Sequence, residues 1–398
     1  MHGYIPYGAY WSTPFARWQG KLAHLNSIEF AAHVAKAELA RRDISPEMFD
    51  TITYGQTVIQ PGSFYAAPWF AALIGAENLP AALVNQACAT GPRLLANAIG
   101  DMSLGMGATA LIASGDRTSN GAHVYYPVPD GSGGTGVSEN WVVDSFMFDP
   151  WAKGAMVTTA DNVAKRFGIE TAEQHELVIR RNSQYQDALA NDRAFQKRYM
   201  PAELEVPDAR FRKVVGTMNC DEGVEPVNPD KMATLRPVVP GGTVTFAGQT
   251  HPADGNAAMV VTATPERATE ISGAGKPLIE ILAFGNAREE KGFMPAAPIK
   301  AAATALARAG LAIGDIDAIK SHNPFAVNDI AFARAFEIDW ADINNYGSSL
   351  IWGHPQGPTG LRGMIELIEE LALRGGGTGL FQGCAAGDSA MAVVLRVS

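Results

Sequence analysis

The 398-residue chain predicts an α/β fold with buried sheets, and three observations carry that expectation. Runs rich in apolar and β-branched residues alternate with segments of helical periodicity. The alternation returns in the last third of the chain, so two similar halves are expected. Hydrophobic residues make up 47% of the sequence, enough to bury the cores of two or three structural units.

Taken in order, Ile28, Ala31, Ala35 and Leu39 recur at spacings of three and four and predict a helix from Ile28 to Ala40. Arg41 and Arg42 follow at its C-terminal end, where cations suit the helix dipole. TITYGQ from Thr51, AALVNQA from Ala81 and ATALIASG from Ala108 read as strands, and Leu94, Leu95, Ala98, Ile99 and Met102 predict a helix after Cys88. Cys88 therefore falls between a strand end and a helix start. From about Arg117 to Pro240 the texture changes to aromatic, Gly-rich and Pro-containing loops (YYPVPDGSGGTG) around one long helix, introduced by Thr171 and Gln174 as a capping box. Gly131 to Gly136 lacks the lysine and the strand–loop–helix setting of a phosphate loop and reads as a surface loop. Beyond it, DAIKSHN from Asp317 reads as a strand, PTGLRGMIELIEELALRGG as a helix stopped by glycines, and TGLFQGCAAG with AMAVVLRV as a terminal hairpin. The expected organisation is a first half over residues 1–116 and 241–262, an inserted loop domain over 117–240, and a second half over 263–398.

Composition narrows the function. A formal net charge of -10 leaves no basic footprint for nucleic acid or an anionic membrane surface. The amino terminus has neither a basic nor an apolar signal region, and AAPWFAALIGA is broken by Glu77 and Asn78, so no membrane span and a cytoplasmic enzyme are expected. Three cysteines, at 88, 220 and 384, form no disulfide framework and match no zinc spacing, which suits reduced thiols and no metal site.

Chemistry concentrates in three short Gly-rich contexts. Cys88 in VNQACATG sits where helix N–H groups favour a thiolate, and Ala89, Thr90 and Gly91 let a carbonyl approach closely. A small buried core cysteine is the alternative reading there. His354 in WGHPQGPTG is held in a constrained turn, as suits a base for Cys88. Cys384 in QGCAAGDSA is also open to close approach, whereas Cys220, in TMNCDEGVEP, has polar loop neighbours and no such setting. His24, His33 and His175 fall within helical patterns without a partner motif and read as structural.

These contexts, with STPFARWQGKL, GAMVTTADNVAKRFGI, TVTFAGQTHPADGNAAMVV, HNPFA and NNYGSSLIWGHPQGPTGLR in the same order, resemble the thiolase superfamily over nearly the whole chain. The resemblance implies the five-layered α-β-α-β-α thiolase fold and an acyl-CoA C-acyltransferase that cleaves a 3-ketoacyl-CoA with CoA, or runs the reverse Claisen condensation. Cys88 is then the acyl-accepting nucleophile, His354 its base, Cys384 the second acid/base, and His322 a partner of His354 in stabilising oxyanions with the backbone N–H groups of Cys88 and Ala386. Met156, Phe246, Thr250 and Phe325 take acyl and CoA contacts. Coenzyme A is a substrate rather than a resident cofactor. A homodimer or homotetramer is implied, and a β-oxidation partner subunit is compatible with the likeness.

The pattern also departs from its commonest form. His322 replaces an asparagine, Asn323 and Pro324 stand where Glu and Ala are usual, and Tyr346 precedes GHP at a position often asparagine; His322, the aromatic Tyr346 and CAAG look like long-chain 3-ketoacyl-CoA thiolases. Asp388 and Ser389 replace small residues after CAAG, and His251 replaces a glycine near the CoA chain, suited either to a phosphate or to capping its loop. Tyr346, Trp141, Trp151 and Phe246 are candidates to line the acyl pocket. A decarboxylating ketoacyl synthase-like enzyme, or a subunit dependent on another chain, are the alternatives; the second thiol at 384 opposes the first and the complete Cys-His-Cys set opposes the second.

Overall fold

The structure, a computed structural model, describes residues 3–398. An 11-stranded mixed sheet dominates the described residues. Its principal strands are β1 (Gly3–Pro6), β2 (Thr51–Gly55), β3 (Ala81–Val84), β4 (Thr109–Arg117), β5 (Ala253–Thr262), β6 (Leu278–Arg288), β7 (Ala318–His322), β8 (Gly377–Ala385) and β9 (Ser389–Val397). They run β7-β8-β9-β6-β1-β5-β4-β2-β3 across the sheet, with the short strands Tyr10–Ser12 and Ala16–Arg17 also paired to β5. The principal helices are α1 (Ser27–Arg41), α2 (Thr90–Ser103), α3 (Met156–Phe167), α4 (Thr171–Arg193), α5 (Ala297–Ala309), α6 (Ala326–Phe336) and α7 (Gly357–Leu373).

The two halves repeat one topology. In the first, β2 and β4 are parallel and β4 pairs antiparallel with β5; in the second, β7 and β8 are parallel and β8 pairs antiparallel with β9. Among the described residues the second half has no counterpart of β3, which forms one edge of the sheet. β5 reads ADGNAAMVVT and is buried at every position, which is why alternation fails and the apolar run Ala257–Val261 marks it instead.

α2 and α7 bring the halves together. α7 is buried from Gly357 to Leu371, the pattern of a helix covered on all sides. Its first turn crosses that of α2 at backbone contact: a Cβ added to Gly91 would meet the Leu361 nitrogen at 2.5 Å, so only glycine fits. This crossing sets the residues before α2, including Cys88, against those before α7, including His354.

The 117–240 segment is richer in regular structure than its loop-like texture suggests. It contains the hairpin His123–Tyr126/Val137–Asn140, α3, α4 and the hairpin Leu204–Pro207/Val214–Met218. Gly131 to Gly136 lies at the tip of the first hairpin. The capping box expected at Thr171 and Gln174 is not formed. Glu170 occupies the N-cap, and both side chains instead donate to Thr243, from Thr171 Oγ1 to its carbonyl at 2.7 Å and from Gln174 Nε2 to its hydroxyl at 3.0 Å. A tertiary strap has taken donors that local pattern assigned to a cap. The helical backbone of α4 breaks at Ala190–Asp192.

A buried ion pair ties this segment to α7. Arg362 makes two hydrogen bonds to Asp221, at 2.6 and 2.9 Å, stacks over Trp352 at 4.2 Å, and donates to Glu366 at 3.0 Å. Asp221 also accepts from Phe15 N and Tyr185 Oη. Removing Asp221 strips Arg362 of its two-bond partner and leaves it sharing Glu366 with Lys320, an undercompensated buried charge. Asp221→Ala is expected to cost roughly 3–5 kcal/mol in urea unfolding; a loss below about 1 kcal/mol, the range of an exposed pair, would show that the network carries no stability.

Candidate active site

Cys88 sits on a sharp turn between β3 and α2. Ala87 has a positive φ of 45°, and Thr90 Oγ1 clamps the turn by donating to the Ala87 carbonyl at 2.7 Å and accepting from Gln86 N at 2.9 Å. This strain at a non-glycine residue lifts Cys88 in front of the helix, as nucleophile turns require. Its Sγ lies 3.1 Å from His354 Nε2 and 3.2 Å from Gln356 Oε1. The backbone N–H groups of Ala386 and Cys88 itself both point to the sulfur.

His354 is fixed from behind: its Nδ1 meets Thr359 Oγ1 at 2.7 Å, and its backbone N–H donates to the His251 carbonyl at 2.9 Å. With the Nδ1 proton given to Thr359, Nε2 is free to accept from the thiol. Gln356, at a φ of 66°, and the first N–H of α7 complete the turn, the Gly357 N–H binding Asp116 at 3.0 Å. Asp116 also accepts from Thr57 and Val58, so one buried carboxylate ties β4 to both loops around Cys88. Burial pushes its carboxyl up to about 7 against the pull of those N–H groups.

His322 ends β7. Its ring centroid is 4.1 Å from that of His354, its Nδ1 meets Ser349 Oγ at 2.9 Å, and its buried Nε2 has no protein partner. Asn323 replaces a charged residue yet is not idle. It donates to Asp329 at 2.6 Å, and its Oδ1 accepts from Ser349 Oγ and Leu350 N, both at 3.2 Å. The negative charge is thus supplied one step further back, by Asp329, which is itself paired with Arg181. Cys384, at the end of β8, is fully buried and its Sγ accepts from Asn328 Nδ2 at 3.2 Å.

Burial sets the resting protonation. It pushes the Cys88 thiol up to about 12 and, with the nearby Cys88 thiol, raises Cys384 as well. It pulls His322 down to about 3, and desolvation with the neighbouring His322 and His251 holds His354 well below the usual imidazole range. Cys88 and His354 therefore rest as a neutral thiol–imidazole pair. The thiolate fraction then grows tenfold per pH unit while both imidazoles stay neutral. Peptide-resolved alkylation of Cys88 by iodoacetamide is expected to accelerate about tenfold per unit from pH 7 to pH 9; a plateau below pH 8 would reveal a resting ion pair.

Two clefts open beside Cys88 and share Met156, Ser145 and Ala386. The smaller, about 190 Å³, is lined by Val58, Ala87, Trp141, Phe146 and Gln356. The larger, about 640 Å³, runs past Phe148, Trp151 and Met294 to Asp388. Trp141 and Trp151 thus line clefts. Tyr346 does not: it stacks on Phe195 at 3.8 Å in the core, away from the site. Phe246 is 76% exposed and lines neither cleft, whereas Phe325 is buried beneath the Thr250 loop. Thr250 donates its N–H to Pro324 at 2.7 Å and its hydroxyl to the Ser349 carbonyl. The His251 ring packs where Gly223 and Gly353 leave room for it. Cys88 Sγ and one nitrogen each of His322 and His354 lie within 4.8 Å of one another, a donor set of the kind soft divalent cations use.

Sequence reasoning missed Gln356, Asn328, Ser349, Thr359 and Asp116. Gln356 and Thr359 were visible within GHPQGPTG, but their contacts to Cys88 and His354 were not.

A Cys–His pair with a second thiol, on two repeated α/β halves, defines the acyl-transfer enzymes that work through a cysteine thioester. Residues 9–264 match the thiolase N-terminal domain and residues 275–397 the thiolase C-terminal domain. The chain belongs to the thiolase family. It is 28% identical over 392 residues to the beta-ketothiolase BktB of Cupriavidus necator, covering 96% of each chain. It is 27% identical over 384 residues to the acetyl-CoA acetyltransferase of Allochromatium vinosum, covering 95% of each. The crystal structure of human mitochondrial 3-ketoacyl-CoA thiolase superposes with a TM-score of 0.89 at 25% identity, over 100% of this chain and 99% of that one. Among the described residues no helix is long and apolar enough to cross a membrane.

Proposed function

We propose that the chain cleaves a 3-ketoacyl-CoA with CoA, giving acetyl-CoA and a shortened acyl-CoA through an acyl-Cys88 intermediate. The observation that carries this reading is the 3.1 Å contact between Cys88 Sγ and His354 Nε2, with the buried thiol of Cys384 beside them. As the sulfur attacks the 3-keto carbon, His354 takes its proton. The keto oxygen gains charge within reach of the N–H groups of Cys88 and Ala386, which in the resting site lie at the Cys88 sulfur. The Cα–Cβ bond then breaks, and its electron pair leaves as the enolate of acetyl-CoA. His322, once the Ser349 hydroxyl turns from Asn323 Oδ1 to its Nδ1 2.9 Å away, presents a neutral Nε2–H to that enolate, and Cys384 gives it a proton at carbon. The resulting Cys384 thiolate deprotonates the incoming CoA thiol, which attacks the acyl group; Cys88 departs and recovers its proton from His354.

A neutral donor at His322 suits this role, because its buried Nε2 has no protein partner to give up when charge develops. His322→Ala is expected to lower kcat by about 10²–10³ with a small change in KM. A loss confined to KM would assign it to binding instead. The function itself is tested by mixing purified protein with acetoacetyl-CoA and CoA and following acetyl-CoA release; no release at any CoA concentration contradicts it, and decarboxylation of a malonyl thioester without thiolysis would favour a synthase.

A further inference from the structure

The wall of the larger cleft carries a residue that the thiolysis steps leave unused. Asp388 lies in the turn between β8 and β9, two residues after Ala386, and lines the cleft that Ala386 and Met156 connect to Cys88. It is held at a positive φ of 58°, where a non-glycine residue is strained. One carboxylate oxygen, Oδ2, accepts from Gly292 N at 2.9 Å. The other, Oδ1, makes no hydrogen bond in a residue only 1% exposed, although the Phe293 N–H and the Arg288 guanidinium both favour the charged carboxylate. An unpaired buried carboxylate oxygen is costly unless something supplies a donor.

The surroundings narrow what that donor is. Glu139, Asp144 and Asp149 also line the cleft, and none of its lining residues is basic. Two of these acids are occupied locally, Asp149 by the N–H groups of Trp151 and Ala152 and Asp144 by Asn140 N. The four carboxylates outnumber the cations beside them, Lys153, Lys291 and Arg288, so the cleft suits a hydrogen-bond donor better than the phosphates of CoA. The Phe246–Thr250 loop, expected along the CoA chain, lines neither cleft. Trp151, Phe148, Pro150 and Met294 give the remaining wall an apolar body. Lys291 and Lys153 rest over the Trp151 and Phe148 rings, at 5.1 and 5.5 Å, so these faces already accept ammonium groups.

We propose that the larger cleft receives the acyl chain and that Asp388 selects chains carrying a hydrogen-bond donor, a hydroxyl or an ammonium, at their far end. This rests on the thioester reading of Cys88 above. The test is calorimetric binding of three saturated acyl-CoAs of equal heavy-atom count, ending in a hydroxyl, an amine or a methyl group. None of them can be cleaved, so thiolase activity is not needed for the readout. Wild-type protein is expected to bind at least one donor-ended compound about tenfold or more tighter than the methyl-ended one, the size of one charge-assisted hydrogen bond. Asp388→Asn keeps an oxygen for Gly292 but turns the free position into a donor, so the preference for the amine is expected to vanish while thermal stability stays within a few degrees. The hydroxyl and amine arms separate a neutral donor from a cation. Equal or tighter binding of the methyl-ended compound by wild type, no binding of any of the three, or an unchanged preference in Asp388→Asn overturns the inference. Absence of acetoacetyl-CoA thiolysis would instead strike the proposed reaction and leave this binding result standing on its own.

Discussion

Cys88→Ala is expected to lower kcat for thiolysis by at least about 10⁴-fold, with the fold and substrate binding intact. Every group around Cys88 is aimed at its sulfur: His354 Nε2, Gln356 Oε1 and the N–H groups of Cys88 and Ala386. With the sulfur gone, these donors and acceptors surround nothing that can carry an acyl group. Cys384 cannot substitute, since it is fully buried and its sulfur is held by Asn328. Alanine differs only by the missing sulfur in a site 6% exposed, and the α2–α7 crossing rests on Gly91 against Leu361, so the fold stays in place. Initial rates with acetoacetyl-CoA and CoA give the measurement, and activity within tenfold of wild type would move the nucleophile elsewhere.

The second large effect is expected at Cys384. Cys384→Ala should lower carbon–carbon cleavage by about 10²–10⁴-fold, the usual worth of a placed acid/base, because no other proton donor is assigned to the leaving carbanion. The same variant should still become acylated at Cys88 by acetyl-CoA, a step that needs only His354. The split between the two half-reactions is diagnostic. Solvent deuterium incorporation into the methyl group of acetyl-CoA should disappear in Cys384→Ala and persist in Cys220→Ser, whose thiol is exposed and outside the site. Equal loss of acylation and of exchange would make Cys384 a structural support for Cys88 rather than an acid/base.

The architecture was legible because its signals are local. Strands such as Thr109–Arg117 are built on an apolar run, here Ala110–Ala113, and α1 carries its buried face at regular spacing. Cys88, His354 and Cys384 stood out because small residues and glycines surround each of them, which is what close approach of a substrate demands. What stayed hidden depends on partners far away in the chain. Gln356 reaches Cys88 across 268 positions, and Asn328 reaches Cys384 across 56. Asn323 looked like a lost charge in its own motif, yet Asp329, six residues on, restores it. Thr171 was misread because a side chain able to cap a helix can equally bind a strap 72 residues away, and Tyr346 because its place in a motif says nothing of the Phe195 ring it stacks upon.

The contact of Cys88 with His354, beside Cys384, predicts a thioester at residue 88. Rapid acid quenching of the enzyme with a 3-ketoacyl-CoA in the absence of free CoA, followed by peptide mass spectrometry, observes it directly. The acyl group should be found on the peptide containing Cys88, at close to one per chain, and should leave when CoA is added. An unmodified Cys88 in an enzyme that turns over, or the acyl group on Cys384 or Cys220, would contradict the mechanism.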